Sequence, residues 1–238
     1  MYDYKKGKER IISILSNELE VEEVDELPAD ENLTYENAYR SWVTAIFVDL
    51  RDSTSLFTKE NKKDVSRVIR SFTSEVLEIL RDKPNLREIG IRGDCVYAIY
   101  TTPQKKQIDE IMTSAAYINT LLKMLNQLFY KRNLPEITAG IGISSAPELV
   151  IKAGRKGTGL NNKVWIGDAV TKSANFSSLG NKNGNSPIVI SSCTYSNIND
   201  AEKHPDWFSK KKDNELGIYY DCNIIITDFD EWITNGMK

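Results

Sequence analysis

WVTAIFVDLRDST, residues 42–54, is the stretch that decides the fold. Its first seven residues are apolar except for Thr44 and are rich in β-branched side chains, which is typical of a buried strand. The strand reaches an acid, Asp49, and a polar turn follows at once. This pattern suggests that something charged is held where the strand ends. Ser53 or Thr54 then either binds an anion together with the first N–H groups of the next helix or caps that helix.

The segments on the carboxyl side of this strand follow in a regular order. Residues 54–82 and 107–130 space their apolar side chains at helical intervals. Between them, residues 85–102 predict two short strands around a turn with the sequence RGD. EITAGIGIS, ELVIKA, PIVIS and CNIIIT predict later strands. The order strand, helix, hairpin, helix, strand predicts an α+β fold of the ferredoxin-like βαββαβ type, with an antiparallel sheet and helices on one face.

The first part of the chain differs from the rest in pattern. Residues 8–20 carry four apolar side chains on one helical face: Ile11, Ile12, Leu15 and Leu19. An acidic segment follows, and Pro28 marks the predicted helix stop. We therefore predict an N-terminal helical appendage over residues 1–36 and a main domain over residues 37–238.

Composition places the chain among ordinary globular proteins. With 31 basic and 34 acidic residues the net charge is −3, so nothing indicates a DNA or RNA surface. The three cysteines lie far apart and fit a reducing compartment better than a disulfide framework or a zinc site. No apolar stretch approaches the ~20 residues of a membrane span, and the N-terminus shows no signal-peptide core. We expect a cytoplasmic protein with neither a nucleic acid nor a membrane as partner.

Two acids occupy corresponding places in the predicted sheet. Asp49 ends one strand and Asp94 lies in the turn of the neighbouring hairpin, so both carboxylates are expected at one edge of the sheet. Two like charges held close together are costly unless a cation neutralises them, and oxygen ligands suit Mg²⁺ or Mn²⁺. Acids at strand ends are also common turn formers. Spacing alone leaves a metal site and a plain solvated turn both open.

Four motifs follow one another along the chain: FVDLRDSTSLF, IRGDCVYAIY, ITAGIGIS and VWIGDAVTKSANFSSLG. Together they resemble the landmarks of the class III nucleotidyl cyclase catalytic domain, over residues 42–192. The resemblance implies that Asp49 and Asp94, with Leu50 beside the first, hold two Mn²⁺ or Mg²⁺ ions per active site. It also implies a homodimer with its sites at the interface, each completed by the segment of the other subunit that corresponds to residues 164–175. The main domain would then be the catalytic domain.

The resemblance extends to individual residues. It implies a catalytic role for Asp49, Asp94 and Thr171, and Lys172 is a further catalytic candidate because it lies within the last of these motifs. The resemblance implies contacts with the nucleotide and its phosphates from six residues: Leu50, Arg51, Ser53, Thr54, Arg92 and Asn175. Thr171 and Asn175 stand where the family carries an asparagine and an arginine, so Thr171 can donate one hydrogen bond but Asn175 brings no positive charge. The candidates for the missing cation are four residues near the motifs: Arg92, Arg155, Lys156 and Lys172.

The base-reading positions depart from those of purine cyclases. Gly90 stands where an adenylyl cyclase has a purine-reading lysine, and Val164 where it has an aspartate. A glycine and a valine cannot make those hydrogen bonds, which argues against ATP and GTP as substrates.

The combination of VDLRDST, RGDC and GTGLNNKVWIGDAV resembles most the pyrimidine cyclases of bacterial Pycsar antiphage systems. That resemblance implies cyclisation of UTP or CTP after phage infection, with a product read by a separate effector, and we favour UTP and cyclic UMP. In that branch a bulky residue before the first metal-binding strand is expected to narrow the base pocket. The candidates for it here are Tyr39, Arg40 and Trp42.

Several alternatives stay open. A cytidylate cyclase would take CTP in the same site, and a purine cyclase would have moved its base contacts elsewhere. A catalytically inactive cyclase-like module would bind a nucleotide as a sensor, which Thr171 and Asn175 favour and the retained pair of aspartates disfavours. A polymerase palm or a diguanylate cyclase shares the sheet and the paired acids, but the sequence has no GGDEF-like turn.

Overall fold

The computed structural model describes residues 1–155, 159 and 161–238. Its helices are α1 Tyr4–Leu15, α2 Ser53–Lys59, α3 Lys62–Arg81, α4 Lys105–Tyr130, α5 Asp168–Leu179, α6 Ser192–Tyr195, α7 Asn199–Lys203 and α8 Thr227–Thr234. Its strands are β1 Glu20–Glu23, β2 Asn37–Leu50, β3 Leu86–Arg92, β4 Cys95–Thr101, β5 Ala139–Gly154, β6 Asn161–Ile166, β7 Ile188–Ser191, β8 Phe208–Asp213 and β9 Gly217–Cys222. Lys156, one of the candidate cations, lies outside the described residues. None of the described helices is long and apolar enough to span a membrane.

The described strands form one sheet in the order β3-β4-β2-β5-β7-β9-β8, with β1 paired to β2 and β6 to β5. The first four strands in this order, with α3 and α4, form the predicted βαββαβ unit, and their neighbours are antiparallel. Two pairs are parallel instead, β1 with β2 and β5 with β7. The predicted ferredoxin-like α+β fold is confirmed, and the sheet departs from the predicted antiparallel pairing at these two pairs. Helix α5 lies between β5 and β7 in the chain. A connection that contains a helix allows two neighbouring strands to be parallel.

Two strand predictions change in extent. EITAGIGIS and ELVIKA belong to one continuous strand, β5, which pairs with β2 along most of the length of β2. CNIIIT is mostly not a strand, because β9 ends at Cys222 and α8 begins at Thr227.

Alternate residues of β2 face two different layers. Ile46 and Val48 lie in the main core with α3 and α4, whereas Val43 and Ala45 lie in a second cluster with Ala169 of α5. This alternation is the two-residue period of a strand. The prediction of helices on one face is therefore incomplete, because α5 covers part of the opposite face.

The close approach of α5 to β5 depends on two glycines. Gly140 and Gly142 face the helix. Ile141 and Ile143, which alternate with them along the strand, lie in the main core on the other face of the sheet. A Cβ atom at Gly142 would lie 2.0 Å from the carbonyl oxygen of Ser173. No side chain fits there, so the two glycines of the ITAGIGIS motif determine how near α5 lies to the sheet.

The N-terminal segment is only partly helical, which corrects the predicted appendage. Helix α1 ends at Leu15, well before Pro28. Residues 20–23 form β1, which pairs in parallel with the first residues of β2. Strand β4 pairs with β2 only from Val43 onward, so this end of β2 offers free backbone groups that β1 satisfies. The segment before residue 37 is therefore partly built into the sheet.

Candidate active site

The structure brings the two predicted metal-binding acids to one end of the sheet. Asp49 lies on β2 on the same face as Ala45, opposite the layer formed by α3 and α4. Its register partner on β4 is Cys95, which directly follows Asp94. Burial raises the pKa of Asp49, the neighbouring Arg51 offsets part of this rise, and the Asp94 carboxylate adds to it. The two carboxylates are therefore near enough to repel each other.

Cys95 is part of the same cluster but remains a neutral thiol. Burial and the Asp49 carboxylate raise its pKa to about 12. Soft metals prefer a thiolate ligand, whereas Mg²⁺ and Mn²⁺ prefer oxygen. The donors that this end of the sheet offers are therefore carboxylate and carbonyl oxygens.

These donors fit a Mg²⁺ or Mn²⁺ ion that also binds a nucleotide. No group of three or more histidine, cysteine or acidic side chains able to hold a metal lies within the described residues. Mg²⁺ sites in nucleotide enzymes commonly use one or two carboxylates and take their other ligands from water and substrate phosphates. Leu50 is buried in the main core, so only its backbone carbonyl is available as a ligand.

The turn after Asp49 differs from the prediction in its cap. Asp52 is the N-cap residue of α2 and has a left-handed backbone conformation, and its side chain makes no capping hydrogen bond. Ser53 is already the first helical residue. The alternative in which Ser53 or Thr54 caps the helix is therefore wrong, and their role in phosphate binding stays a prediction.

Arg51 is not placed as a phosphate ligand. Its guanidinium lies 2.5 Å from Asp49 Oδ2 and donates hydrogen bonds of 2.9 Å to the carbonyl oxygens of Ser177 and Ser178. Its side chain is only 11% exposed. The end of α5 and Asp49 thus occupy the guanidinium in this arrangement, and a contact between Arg51 and the nucleotide stays a prediction. Nothing in residues 42–54 indicates the contact with α5, since its partners lie more than 120 residues along the chain.

Helix α5 presents the predicted transition-state residues outward. Thr171 and Asn175 are exposed, one turn apart. The opposite side of the helix carries the buried Ala169, Ser173 and Phe176 against the sheet. The two outward residues therefore point away from the sheet that bears their own Asp49.

Lys172 and Arg92, two candidate cations, lie in different surroundings. Lys172 pairs with Asp168 one turn earlier in α5, at 2.7 Å. Arg92 is exposed at the end of β3, and Cys95 is its register partner, as it is for Asp49. Arg92 is thus in the same row of the sheet as Asp49.

Glu148 binds the N-terminal end of α5, and the sequence did not predict this role. This residue is fully buried, and one carboxylate oxygen accepts hydrogen bonds from the backbone N–H groups of Ala169 and Val170. Burial raises the pKa of Glu148, and these two hydrogen bonds counteract the rise. A carboxylate at a helix N-terminus is favourable because it satisfies free N–H groups and complements the helix dipole. In the sequence Glu148 appears only as a polar residue at the start of ELVIKA.

Tyr97 fills the space beside Gly90. A Cβ atom at Gly90 would lie 2.8 Å from the Tyr97 hydroxyl oxygen, so a longer side chain cannot replace this glycine while Tyr97 keeps its place. The Tyr97 ring stacks on Phe47 with a centroid distance of 5.2 Å. Glu88 accepts a hydrogen bond from the Tyr97 hydroxyl and another from the Trp165 indole N–H, each 2.8 Å long. Burial and Glu88 raise the pKa of Tyr97 to about 12, so the phenol stays neutral.

The three bulky candidates for the base pocket, Tyr39, Arg40 and Trp42, do not lie beside Gly90 and Tyr97. Trp42 and Arg40 are an odd number of residues from Phe47 on the same strand, so they face the other side of the sheet. Arg40 pairs with Glu23 of β1 at 2.7 Å. Tyr39 shares the face of Phe47 but lies eight residues away, which is roughly 26 Å along a strand. These three residues therefore do not lie beside Gly90 and Tyr97, and the prediction that one of them narrows the base pocket stays a prediction. Val164, on β6, is 37% exposed.

Comparisons with known proteins show which family and which fold this chain resembles. The profile of the adenylate and guanylate cyclase catalytic domain family matches residues 35–216. A uridylate cyclase of Treponema porcinum is 63% identical over 236 residues, which cover 99% of this chain and 82% of that protein. A uridylate cyclase of Gulbenkiania mobilis is 30% identical, and the match covers 97% of this chain and 95% of that protein. The crystal structure of the adenylyl cyclase CyaB from P. aeruginosa matches the fold with a TM-score of 0.63 at 19% identity, covering 78% of this chain and 95% of that one.

Proposed function

The chain belongs to the adenylate and guanylate cyclase catalytic domain family, and on that premise we propose that it converts UTP to 3',5'-cyclic UMP and pyrophosphate. The likeness to uridylate cyclases along nearly the whole chain supports this substrate. The paired carboxylates of Asp49 and Asp94 at one end of the sheet support the reaction type.

The observation that carries the choice of a pyrimidine is the filling of the space beside Gly90. Tyr97 occupies the volume that a side chain at residue 90 would need, and Phe47 and Glu88 hold Tyr97 in place. A site that lacks the hydrogen-bonding groups for a purine and has less room discriminates against the larger base. A single-ring base fits these conditions better than adenine or guanine.

Asp49 and Asp94 would hold the divalent ions together with the triphosphate. When bound, Mn²⁺ or Mg²⁺ lowers the pKa of the ribose 3'-hydroxyl and neutralises charge on the triphosphate. The protein's own contribution is to keep two hard oxygen donors close together on a face of the sheet that α3 and α4 do not cover. The Arg51 guanidinium offsets only part of the negative charge at Asp49 and Asp94, so the remaining charge favours the binding of a divalent cation.

The proposed reaction is an intramolecular phosphoryl transfer. The 3'-oxygen forms a bond to the α-phosphorus, the bond from that phosphorus to the oxygen bridging to the β-phosphate breaks, and pyrophosphate leaves. The hydroxyl proton passes to water. No side chain forms a covalent intermediate, so catalysis depends on orientation and on the stabilisation of developing negative charge.

A homodimer would complete each site. Thr171 and Asn175 are exposed on the side of α5 opposite the one that packs on their own sheet, which supports a role for them in the site of a second copy. Thr171 would donate a hydrogen bond to the reacting phosphate, and Arg92 or Lys172 would supply positive charge near it. Lys172 must leave Asp168 to do so, and their pair is largely exposed, so the cost of breaking it is small.

The wider setting of the reaction is part of the same proposal. The enzyme would act in the cytoplasm in defence against phage, and a separate effector would bind the cyclic UMP. The domain that performs the reaction would extend over residues 37–238, with the preceding segment joined to it through β1.

Incubation of the purified protein with Mn²⁺ and UTP is expected to yield cyclic UMP and pyrophosphate in equal amounts. Mass spectrometry identifies the nucleotide, and a coupled assay measures the pyrophosphate. The Asp49→Asn variant is the blank, because it keeps the size of the side chain and loses its charge. UMP or UDP as the product would rule out cyclisation, and unchanged UTP with folded protein would favour the inactive nucleotide-binding module.

A further inference from the structure

Arg51 lies in an unusual position for a residue of a surface turn. It follows directly after β2, yet its side chain is only 11% exposed. Arginine is rarely buried unless it is paired, because an isolated charge in a protein interior is expensive. The contacts of the Arg51 side chain therefore indicate its role.

The guanidinium joins two parts of the molecule that are distant in sequence. On one side it contacts Asp49, at 2.5 Å from Oδ2 and 3.2 Å from the backbone carbonyl oxygen. On the other side it donates to the carbonyl oxygens of Ser177 and Ser178, both at 2.9 Å. These two carbonyl groups lie in the last turn of α5. One planar group thus binds a metal-site carboxylate and a helix end together.

A guanidinium suits this geometry and an ammonium does not. The donors of arginine lie in one rigid plane, whereas lysine carries a single compact charge on a flexible chain. The last carbonyl groups of a helix lack partners within the helix and carry partial negative charge, which a cation satisfies. Lysine at this position would keep the charge but could not span all the contacts at once.

The helix that Arg51 holds is the one that presents Thr171 and Asn175. Its first turn is held by Glu148, and its last turn by Arg51. Gly140 and Gly142 leave no gap between α5 and β5. The position of the helix relative to Asp49 is therefore defined at both ends, and only the Arg51 end involves a metal-binding residue.

We propose that Arg51 is a positioning residue, which fixes the Asp49 carboxylate to the C-terminal turn of α5 so that the metal site and the outward face of α5 keep one relative position. This inference rests on the proposed role of Asp49 as a metal ligand. Groups that orient metal ligands commonly change metal affinity when they are altered, so Arg51 is expected to influence metal binding without touching the metal.

The test is a calorimetric titration of Mn²⁺ into the protein in the presence of 3'-deoxy-UTP, which supplies the triphosphate ligands but lacks the hydroxyl that cyclises, with the heat of Mn²⁺ binding to the analogue alone subtracted. Arg51→Lys is expected to weaken Mn²⁺ binding about 10- to 100-fold, the range found for groups that orient metal ligands, and to lower kcat. The matched control is Arg81→Lys, because Arg81 pairs with Glu78 on the exposed side of α3 at 2.9 Å. The control is expected to keep the wild-type Mn²⁺ affinity and kcat.

A purely structural role for Arg51 would give a different result. Arg51→Lys would then melt at a lower temperature but bind Mn²⁺ normally below that temperature, and this result would overturn the proposal. A wild-type protein that binds no Mn²⁺ would contradict the metal role of Asp49 itself. That result would be a failure of the proposed function, and the wild-type titration alone separates it from a failure of the Arg51 proposal.

Hydrogen exchange of the wild-type protein tests the same link without a substitution. Saturating Mn²⁺ is expected to slow exchange in the last turn of α5, residues 176–180, relative to peptides from α3. The reason is that a fixed Asp49 fixes Arg51, which in turn holds the carbonyl groups of this turn. Exchange in α5 that Mn²⁺ leaves unchanged, in protein shown to bind Mn²⁺, would overturn the proposal.

Discussion

Asp49→Asn and Asp94→Asn are each expected to reduce kcat by on the order of a thousandfold or more, because each removes a charged ligand of the divalent ions in the proposed site. Asparagine keeps the shape of aspartate and loses its negative charge. Neither acid belongs to the apolar core, so both variants are expected to fold. Asp49→Asn is also expected to melt at a lower temperature, because it leaves the Arg51 guanidinium without its carboxylate partner. Burial already raises the pKa of Asp49, which means that its ionised form is a cost to the folded protein.

The measurement combines kcat with a thermal melt of each variant. The control is Asp64→Asn on α3, where the acid pairs only with Arg67, at 3.4 Å on the protein surface. Turnover at the wild-type rate in either the Asp49 or the Asp94 variant would remove that residue from the metal site. A large loss of activity in the control would show that the assay responds to general damage.

Two inactive variants are expected to restore activity to each other when they are mixed. One is Asp49→Asn, and the other combines Thr171→Ala with Lys172→Ala. If each site takes its metal ligands from one subunit and its α5 residues from the other, a mixed dimer has one site with both defects and one intact site. Random exchange makes about half of the dimers mixed, and each mixed dimer has one intact site of its two. About a quarter of the wild-type activity is therefore expected.

This experiment requires proof that the subunits exchange. Native mass spectrometry of variants with different mass tags measures the fraction of mixed dimers, and each variant alone gives the background activity. No recovery in a sample that contains mixed dimers would contradict a shared site. Thr171 and Asn175 would then serve another purpose on the exposed face of α5.

The features that sequence alone predicted are those with a strong local pattern. The apolar run ending at Asp49 forms β2, and the hairpin that carries Asp94 lies next to it. The spacing of apolar residues predicted α3 and α4 well, because a buried face imposes a period on the sequence. The pairing of two acids followed from the strand order.

The features that sequence missed depend on contacts between distant parts of the chain. Arg51 appears as an ordinary turn residue, and its carbonyl partners lie at the end of α5. Tyr97 appears as one residue of a buried strand, and the missing side chain of Gly90 becomes informative only when the two are seen side by side. Strand β1 consists of charged residues and valine, and only the free edge of β2 makes it a strand.

The central claim is that this cyclase acts on a pyrimidine and prefers UTP. One mixture of UTP, CTP, ATP and GTP at equal concentrations, incubated with Mn²⁺ and the wild-type protein, tests it most directly. Mass spectrometry of the cyclic products is expected to show cyclic UMP in at least about tenfold excess over each of the others, which is a discrimination that differences in pocket size and hydrogen bonding can supply. Cyclic AMP or cyclic GMP as the main product would contradict the account.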